Sequence, residues 1–212
     1  MNDSSISSVA SSTPVKAVAP DKSKSQIGIS VLSVNVNGLR GKTLLLQELI
    51  VTHHPDVILC QETKIDSSVY SSELFPNDYT VYRKDRNLNG GGVCIAVVNK
   101  LQSFLCSDLD SELEAIWVSV RTKSDLVYFC SLYRPPSSDK TYLNDFHTQL
   151  TKLIGKRNKP PIMVITGDFN FPKINWVTCN APSDTEGGLL VNIFNDFHLS
   201  QMVTTPTHFG KT

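Results

Sequence analysis

The amino-acid sequence predicts a layered α/β protein in which helices cover mixed β-sheets. Two observations predict this class. Apolar runs of strand length alternate with segments of helical periodicity at both ends of the chain. Between residues 80 and 132, four β-rich runs follow one another with short turns between them, which is typical of hairpin-like strands. The two patterns together indicate mixed sheets covered by helices, and hence a layered sandwich.

The first part of the chain contains two predicted strands on either side of a helix. Ile27–Val34 mixes alternation with β-branched residues, which predicts a strand. Leu44–His53 carries its apolar residues at helical spacing, and Val57–Cys60 is a short apolar run that follows a Pro-Asp turn signal. We therefore expect a strand, a helix and a buried strand in this order.

The middle and the end of the chain extend this pattern. The middle contains four predicted strands: Thr80–Arg83, Gly92–Val98, Ala115–Val120 and Leu126–Leu132. The end contains a predicted helix, a buried strand and a last helix: Tyr142–Ile154, Ile162–Thr166 and Leu189–His198. The apolar residues of both helices form a single stripe, and Pro160 and Pro161 end the first of them.

Length and composition indicate one large domain, or at most two small ones, behind a disordered leader. The chain has 212 residues, of which 40% are apolar, and its net charge is zero. Residues 1–26 are rich in Ser, Lys and Pro without periodicity, so we expect a leader there and an ordered domain over 27–212. Zero net charge argues against a polybasic mode of nucleic-acid binding, and no window has the roughly 20 apolar residues of a membrane span.

The five cysteines bear on the cellular compartment. They include no Cys-x-x-Cys pair, and Cys60, Cys94 and Cys130 lie inside apolar runs. This pattern favours buried, reduced thiols in an intracellular protein, nuclear or cytoplasmic, over disulfides or a zinc site.

Polar residues follow four of the predicted strands at the point where each strand ends. They are Asn35, Asn37, Glu62, Tyr133, Asp168 and Asn170. In open α/β sheets, sites form beyond the carboxyl ends of strands, where side chains from separate strands converge. We therefore expect these residues to meet, although each of them alone is an ordinary turn residue.

Glu62 and Asp168 are the candidate pair for metal binding or proton transfer. They follow the apolar runs VILCQE and IMVITGD, so each carboxylate lies at the mouth of the core, where an unpaired charge is costly. Mg²⁺ takes one or two carboxylates together with phosphate oxygens and water. On the residues alone a structural alternative stays open, in which Glu62 caps a turn and Asp168 forms an Asx turn.

Gly41–Thr43 resembles part of a phosphate-binding P-loop, but Val36 stands where that loop requires its first glycine.

Four motifs, taken in order, resemble the endonuclease/exonuclease/phosphatase superfamily of deoxyribonuclease-I-like proteins. They are SVNVNGLR, ILCQETK, YRPPSS and ITGDFNFP. A narrower resemblance, to the endonuclease domain of non-LTR retrotransposons, is carried by RKDRNLNGGGVCIAV, SLYRPPSS and VTTPTHFGKT. The resemblance covers residues 27–212, which is nearly all of the part expected to be ordered.

This resemblance implies a four-layered α/β/β/α sandwich of the deoxyribonuclease-I-like type, with two β-sheets packed face to face and helices outside. It also implies cleavage of DNA phosphodiesters that depends on Mg²⁺, with Mn²⁺ as a substitute, and that leaves a 3′ hydroxyl to prime reverse transcription. The implied partner is DNA, with a reverse transcriptase fused to the domain in the full-length element.

The resemblance also implies a role for each matching residue. Glu62 matches the metal-binding glutamate, and Asn35 matches the asparagine that assists the metal site. Tyr133 is expected to contact the scissile phosphate, and Asp168 and Asn170 to orient the attacking water and the phosphate. The remaining candidates for contact with DNA or its phosphates are Asn37, Arg83, Lys84, Arg86, Arg134 and Thr207.

The last motifs of the family pattern are not found in the sequence. Family members continue with an Asp-bearing strand and a Ser-Asp-His motif, and neither occurs before Thr212. We therefore expect a C-terminally truncated copy with the last strands missing, which retains the metal pocket and has weak or no nuclease activity. Two other functions stay open: a phosphatase of the same superfamily, and a non-catalytic nucleic-acid-binding remnant.

Overall fold

The computed structural model describes residues 28–155, 159–183, 185–203 and 205. The predicted leader over residues 1–26 and the candidate Thr207 lie outside the described residues. The chain divides into two compact units, residues 29–172 and residues 173–212 together with the N-terminal segment. All other candidate site residues fall within 29–172, and the single domain expected over 27–212 stays a prediction.

The described part of residues 29–172 contains eight strands and three α-helices. In chain order they are β1 (Val31–Asn35), α1 (Thr43–His53), β2 (Val57–Gln61), α2 (Ser71–Leu74), β3 (Tyr79–Lys84), β4 (Val93–Val98), β5 (Gln102–Leu105), β6 (Ala115–Arg121), β7 (Leu126–Tyr133), α3 (Lys140–Gly155) and β8 (Ile162–Asp168). Single turns of 3-10 helix lie at Arg40–Lys42 and Ser107–Leu109.

The first sheet has the strand order β1-β2-β4-β3. β1 runs parallel to β2, with Asn35 paired to Gln61 at their carboxyl ends, whereas β4 runs antiparallel to β2 and β3. α1 connects the two parallel strands and buries Leu46 and Ile50 in a cluster with one face of this sheet. The helix ends because His54 adopts the left-handed conformation and donates its backbone N–H to the Ile50 carbonyl.

The second sheet has the strand order β5-β6-β7-β8. β5, β6 and β7 are antiparallel neighbours, and β7 runs parallel to β8, with Tyr133 paired to Asp168 at their carboxyl ends. α3 connects these two parallel strands and its apolar stripe is buried. Trp117 Nε1 of β6 donates to Gln149 Oε1 of α3 at 3.0 Å, so α3 covers this sheet.

The two sheets pack face to face through a shared apolar core. In this core Leu59 of β2 and Ile95 of β4 join Val118 of β6 and Phe129 of β7. The opposite face of the first sheet packs with α1 and α2 in a separate cluster. From one side of residues 29–172 to the other, the order is helix, sheet, sheet, helix. The prediction of a four-layered α/β/β/α sandwich is therefore confirmed.

Residues 173–212 contain one described helix, α4 (Glu186–Asp196). Thr185 caps it, because the Thr185 hydroxyl accepts a hydrogen bond from the Gly188 N–H at 3.1 Å. Gly187 lies against Ile174, and a Cβ added at Gly187 would be 3.2 Å from Ile174 Cγ1. The glycines at the start of α4 therefore let the preceding loop pack closely onto the helix.

The strands and helices predicted from periodicity are present, and their bounds shift by no more than four residues. The largest shift is at β1, where Ser30 binds the Asp56 carboxylate through its N–H and hydroxyl instead of continuing the strand. The sequence does not predict β5 and α2. Each has only four residues, which is too short for a periodicity to be detected. Among the described strands β5 pairs with β6 only, and it exposes Phe104 and Leu105.

Cys60, Cys94 and Cys130 are buried, as their positions inside apolar runs predict. None of the five cysteines, which all lie among the described residues, forms a disulfide. Among the described residues, no helix combines the length and the apolar character needed to cross a membrane.

We expect Phe129→Ala to lower the free energy of unfolding by about 3–5 kcal/mol, because it removes a ring that is 1% exposed between the two sheets. Phe104→Ala is the matched control, because that ring is 49% exposed on β5, and its cost should stay below about 1 kcal/mol. Urea denaturation followed by circular dichroism measures both. Equal costs would contradict the assignment of the inter-sheet core.

Candidate active site

The carboxyl ends of four strands bring polar side chains from both sheets together. β1 and β2 end at Asn35 and Gln61, and β7 and β8 end at Tyr133 and Asp168. Asn35 Nδ2 donates to Glu62 Oε1 at 2.9 Å and to Asp168 Oδ2 at 3.0 Å. A single amide nitrogen therefore joins two carboxylates that belong to different sheets and are far apart in the sequence.

A buried polar network lies at the end of the inter-sheet core and includes Gln61, the residue before Glu62. Gln61 Nε2 donates to Ser131 Oγ at 3.0 Å and to Thr166 Oγ1 at 3.4 Å. Ser131 Oγ in turn donates to the Cys60 carbonyl at 3.0 Å. Because Gln61 and Ser131 are buried, these bonds are shielded from water, and they fix the position of β2 relative to β7 and β8.

The loops that follow β1 and β2 adopt unusual backbone conformations at the site. Asn37, Glu62 and Lys64 have φ of 43°, 52° and 49°, in the left-handed region that side-chain-bearing residues rarely adopt. Asn35 Oδ1 accepts the Asn37 N–H at 3.0 Å, and the Glu62 carbonyl accepts the Gly38 N–H at 2.8 Å. These hydrogen bonds stabilise the left-handed conformations, and the left-handed conformations set the directions of the side chains.

The glycine run at residues 90–92 lets the loop after β2 approach β4 closely. Thr63 N donates to the Gly92 carbonyl at 3.1 Å, and Lys64 N donates to the Gly91 carbonyl at 2.9 Å. Gly92 has a φ of +83°, and a Cβ added there would lie 2.5 Å from Thr63 Oγ1. The run is therefore needed for the backbone conformation and for the close contact with Thr63.

Tyr133 is held at its backbone on both sides. Its N–H donates to the Glu114 carbonyl at 2.8 Å, and its carbonyl accepts the Tyr142 hydroxyl at 2.9 Å. Burial raises the pKa of the Tyr133 hydroxyl, and the negative charges of Glu62 and Asp168 raise it further. Tyr133 thus stays a neutral hydrogen-bond donor beside two carboxylates.

Asp168 and Asn170 form a compact turn at the end of β8. The Asp168 carbonyl accepts the Arg134 N–H at 2.9 Å, and Asp168 Oδ1 accepts the Asn170 N–H at 3.1 Å. Asn170 Nδ2 donates to the Arg134 carbonyl at 2.7 Å, and Asn170 has a φ of 53°. Asp168 therefore forms the Asx turn that the sequence analysis leaves open as a purely structural role, and its Oδ2 also accepts a hydrogen bond from Asn35.

Arg134, a candidate for contact with phosphate, is buried, and this contact stays a prediction. Its side chain is buried, its guanidinium lies 4.2 Å over the centroid of the Phe171 ring, and Nη2 donates to the Ser138 carbonyl at 2.6 Å. The sequence pattern suggests an exposed cation after a strand, but the residues that follow β8 cover it. Arg134 therefore packs this turn instead of facing solvent.

The other basic candidates also form contacts within the protein. Arg86 Nη1 pairs with Glu114 Oε1 at 2.6 Å, and its side chain is 39% exposed, so a contact with DNA stays a prediction. Arg83 donates to the backbone carbonyls of Asp66 and Val69 and pairs with Asp85. Lys84 pairs with Asp110 at 2.6 Å. Arg83 and Lys84 thus hold loops in place.

Lys64 is a site residue that the sequence analysis does not single out. Its Nζ lies 3.5 Å from Glu62 Oε2 and donates to Asn37 Oδ1. The available signal is its place two residues after Glu62 in QETK, where the left-handed turn brings it back to that carboxylate. The structure therefore adds the positively charged side chain of Lys64 to the cluster of Asn35, Glu62 and Asp168.

The oxygen ligands at the strand ends fit a hard divalent cation whose remaining ligands are water and phosphate oxygens. The described residues contain no group of three His, Cys, Asp or Glu that could hold a metal by itself. Within the same residues Asp168 forms no ion pair, and Glu62 pairs with Lys64. Two carboxylates with water and phosphate oxygens match the ligands that Mg²⁺ takes, and Asn35 turns its Nδ2 to these carboxylates while its oxygen accepts the Asn37 N–H.

The sequence of this chain matches known proteins. Residues 127–212 match the family model described as endonuclease-reverse transcriptase. Exodeoxyribonuclease III of Haemophilus influenzae is 26% identical over 176 residues, which make up 74% of this chain. The chain spans 60% of the length of this curated relative.

Solved structures share the fold. The endonuclease domain of TRAS1, a telomere-specific non-LTR retrotransposon, matches with a TM-score of 0.60 at 18% identity, covering 80% of this chain and 71% of that one. The AP endonuclease LMAP of Leishmania major matches with a TM-score of 0.60 at 14% identity, covering 80% and 66%. These matches show that the chain shares the fold of these proteins, and the resemblance seen in the sequence extends to a family match over residues 127–212.

We expect Gly92→Ala to destabilise the protein by about 2 kcal/mol or more, because an alanine there is strained at positive φ and would contact Thr63. Gly41→Ala is the control, since no atom lies within 4 Å of a Cβ added at that position, and its effect should stay within about 1 kcal/mol. Urea denaturation of both variants measures the difference. A neutral Gly92→Ala would show that the glycine run does not constrain the loop after β2.

Proposed function

We propose that this chain, which has the fold of the endonuclease/exonuclease/phosphatase superfamily, is a DNA endonuclease that depends on Mg²⁺ or Mn²⁺. The proposed product is a nick with a 3′ hydroxyl, as in target-site nicking by retrotransposons. The observation that carries the proposal is the pair of hydrogen bonds from Asn35 Nδ2 to Glu62 and Asp168. This contact brings together the carboxylates and the amide that the resemblance assigns to catalysis.

Glu62 and Asn35 would hold the metal. When bound, Mg²⁺ supplies positive charge opposite the developing negative charge on the phosphate. Glu62, whose side chain is 19% exposed, offers its carboxylate, and Asn35 offers an amide oxygen. The Asn35 oxygen accepts the Asn37 N–H and its Nδ2 donates to Glu62, so Asn35 also orients the carboxylate that would hold the metal.

Asp168 would orient the attacking water. Both of its oxygens accept hydrogen bonds, Oδ2 from Asn35 and Oδ1 from the Asn170 N–H, so the carboxylate has a fixed orientation. An ionised carboxylate has further lone pairs that accept a proton of the water. The Tyr133 hydroxyl is the proposed donor to a phosphate oxygen, because its raised pKa keeps it protonated.

The names of similar proteins support the proposed substrate and setting. The sequence relative is named as an exodeoxyribonuclease, and the family model combines an endonuclease with a reverse transcriptase. We therefore propose DNA as the partner and a reverse transcriptase in the same full-length element. From the buried thiols we propose an intracellular location, nuclear or cytoplasmic.

We expect Asp168→Asn to slow Mg²⁺-dependent nicking of supercoiled plasmid by about 100-fold or more, because the variant loses the carboxylate that accepts from water. Asp125→Asn is the control, since Asp125 is exposed on the turn between β6 and β7. Protein in excess over plasmid allows slow cleavage to be measured. A polymerase that extends the nick without pretreatment would confirm the 3′ hydroxyl.

Three results would contradict this function. Nicking that is equally fast in Asp168→Asn and wild type would show that the cleavage comes from another source. Hydrolysis of a soluble phosphoester with the plasmid left intact would indicate a phosphatase. DNA binding that depends on salt but not on Mg²⁺, without cleavage, would indicate a nucleic-acid-binding remnant.

A further inference from the structure

Lys64 places a positive charge at the carboxylate that is proposed to hold the metal. Lys64 Nζ lies 3.5 Å from Glu62 Oε2, while Glu62 Oε1 accepts from Asn35 Nδ2 at 2.9 Å. Both side chains of this ion pair are partly shielded from water, with exposed fractions of 26% and 19%. Across the described residues, no other ion pair involves Glu62 or Asp168.

The backbone of the loop after β2 directs Lys64 to this position. Both Glu62 and Lys64 have positive φ, which is costly for residues with side chains. The conformation is held by hydrogen bonds from Lys64 N to the Gly91 carbonyl and from Leu39 N to the Thr63 carbonyl, each at 2.9 Å. A turn that is strained and tied on both sides therefore places an ammonium group beside the carboxylate.

A divalent cation and an ammonium group that bind the same carboxylate carry like charges at short range. Mg²⁺ near Glu62 would repel Lys64, and in a partly shielded site this repulsion is stronger than in bulk water. Lys64 has a second acceptor, because it also donates to Asn37 Oδ1. The ammonium can therefore leave Glu62 without losing all of its hydrogen bonds.

We propose that Lys64 is a positioning residue that competes with the divalent cation for Glu62. Without the metal it neutralises the carboxylate while it donates to Asn37 Oδ1, and on metal binding it keeps only the bond to Asn37. The consequence is a metal that binds weakly and exchanges readily. The inference rests on the proposed function, since it concerns the metal site of that reaction.

We expect Lys64→Met to bind Mg²⁺ about 5-fold or more tightly than the wild type, measured as Kd by isothermal titration calorimetry. Methionine has a stem of similar length without the charge, and Lys64→Gln serves as a second variant if Lys64→Met folds poorly. Lys64→Arg keeps the charge and should keep the wild-type Kd within about 2-fold. Lys100→Met is the matched control, because Lys100 pairs with Asp56 at 2.7 Å immediately before β2, at the opposite end from Glu62.

A second measurement separates competition from a general loss of structure. Mg²⁺ should raise the melting temperature of Lys64→Met more than that of the wild type, because tighter binding to the folded state stabilises it more. If the wild type binds Mg²⁺ and Lys64→Met binds it equally or more weakly, the role of Lys64 is overturned and the proposed nuclease is unaffected. If neither the wild type nor any variant binds Mg²⁺, both proposals fail.

Discussion

One amide group holds together the two halves of the candidate site. The carboxylates of Glu62 and Asp168 repel each other, and their strands belong to different sheets. Asn35 Nδ2 donates to both of them and thereby offsets this repulsion, while the buried bonds of Gln61 to Ser131 and Thr166 fix the sheets just behind. The fold is therefore arranged so that separate sheets supply a single acidic site.

Backbone strain is concentrated where this site is formed. Of the described non-glycine residues with positive φ, four lie at the strand ends: Asn37, Glu62, Lys64 and Asn170. Others have ordinary causes, such as His54, which ends α1 in the left-handed conformation that commonly ends helices. Strained residues persist only where their surroundings fix them. Here the N–H groups of Gly38 and Asn37 donate, and the carbonyls of the glycine run accept, the hydrogen bonds that do so. The strain thus orients side chains that an extended strand would direct elsewhere.

The sequence predicts the fold well because the strands and helices have clear periodicity, and it predicts which residues lie at the strand ends. It cannot show that Asn35 bridges Glu62 and Asp168, since that contact depends on two parallel strand pairs facing each other. Nor can it show that Arg134 is buried, because the Phe171 ring beside it belongs to a different strand exit. Lys64 is missed because a left-handed backbone, and not the spacing, returns it to Glu62.

The register of the parallel strands decides whether the site forms at all. β1-α1-β2 and β7-α3-β8 are two crossovers of the same kind, and each places its functional residues after the last core residue of a strand. Because side chains alternate between faces, a slip of one residue in β8 would turn Asp168 away from Asn35. Gly167 opposes such a slip, since it pairs with Leu132 and a Cβ there would lie 2.3 Å from the Leu132 carbonyl oxygen. The glycine before the aspartate in ITGD therefore has a structural reason: it is the residue that allows β8 to approach β7 closely enough for Asp168 to reach the other sheet.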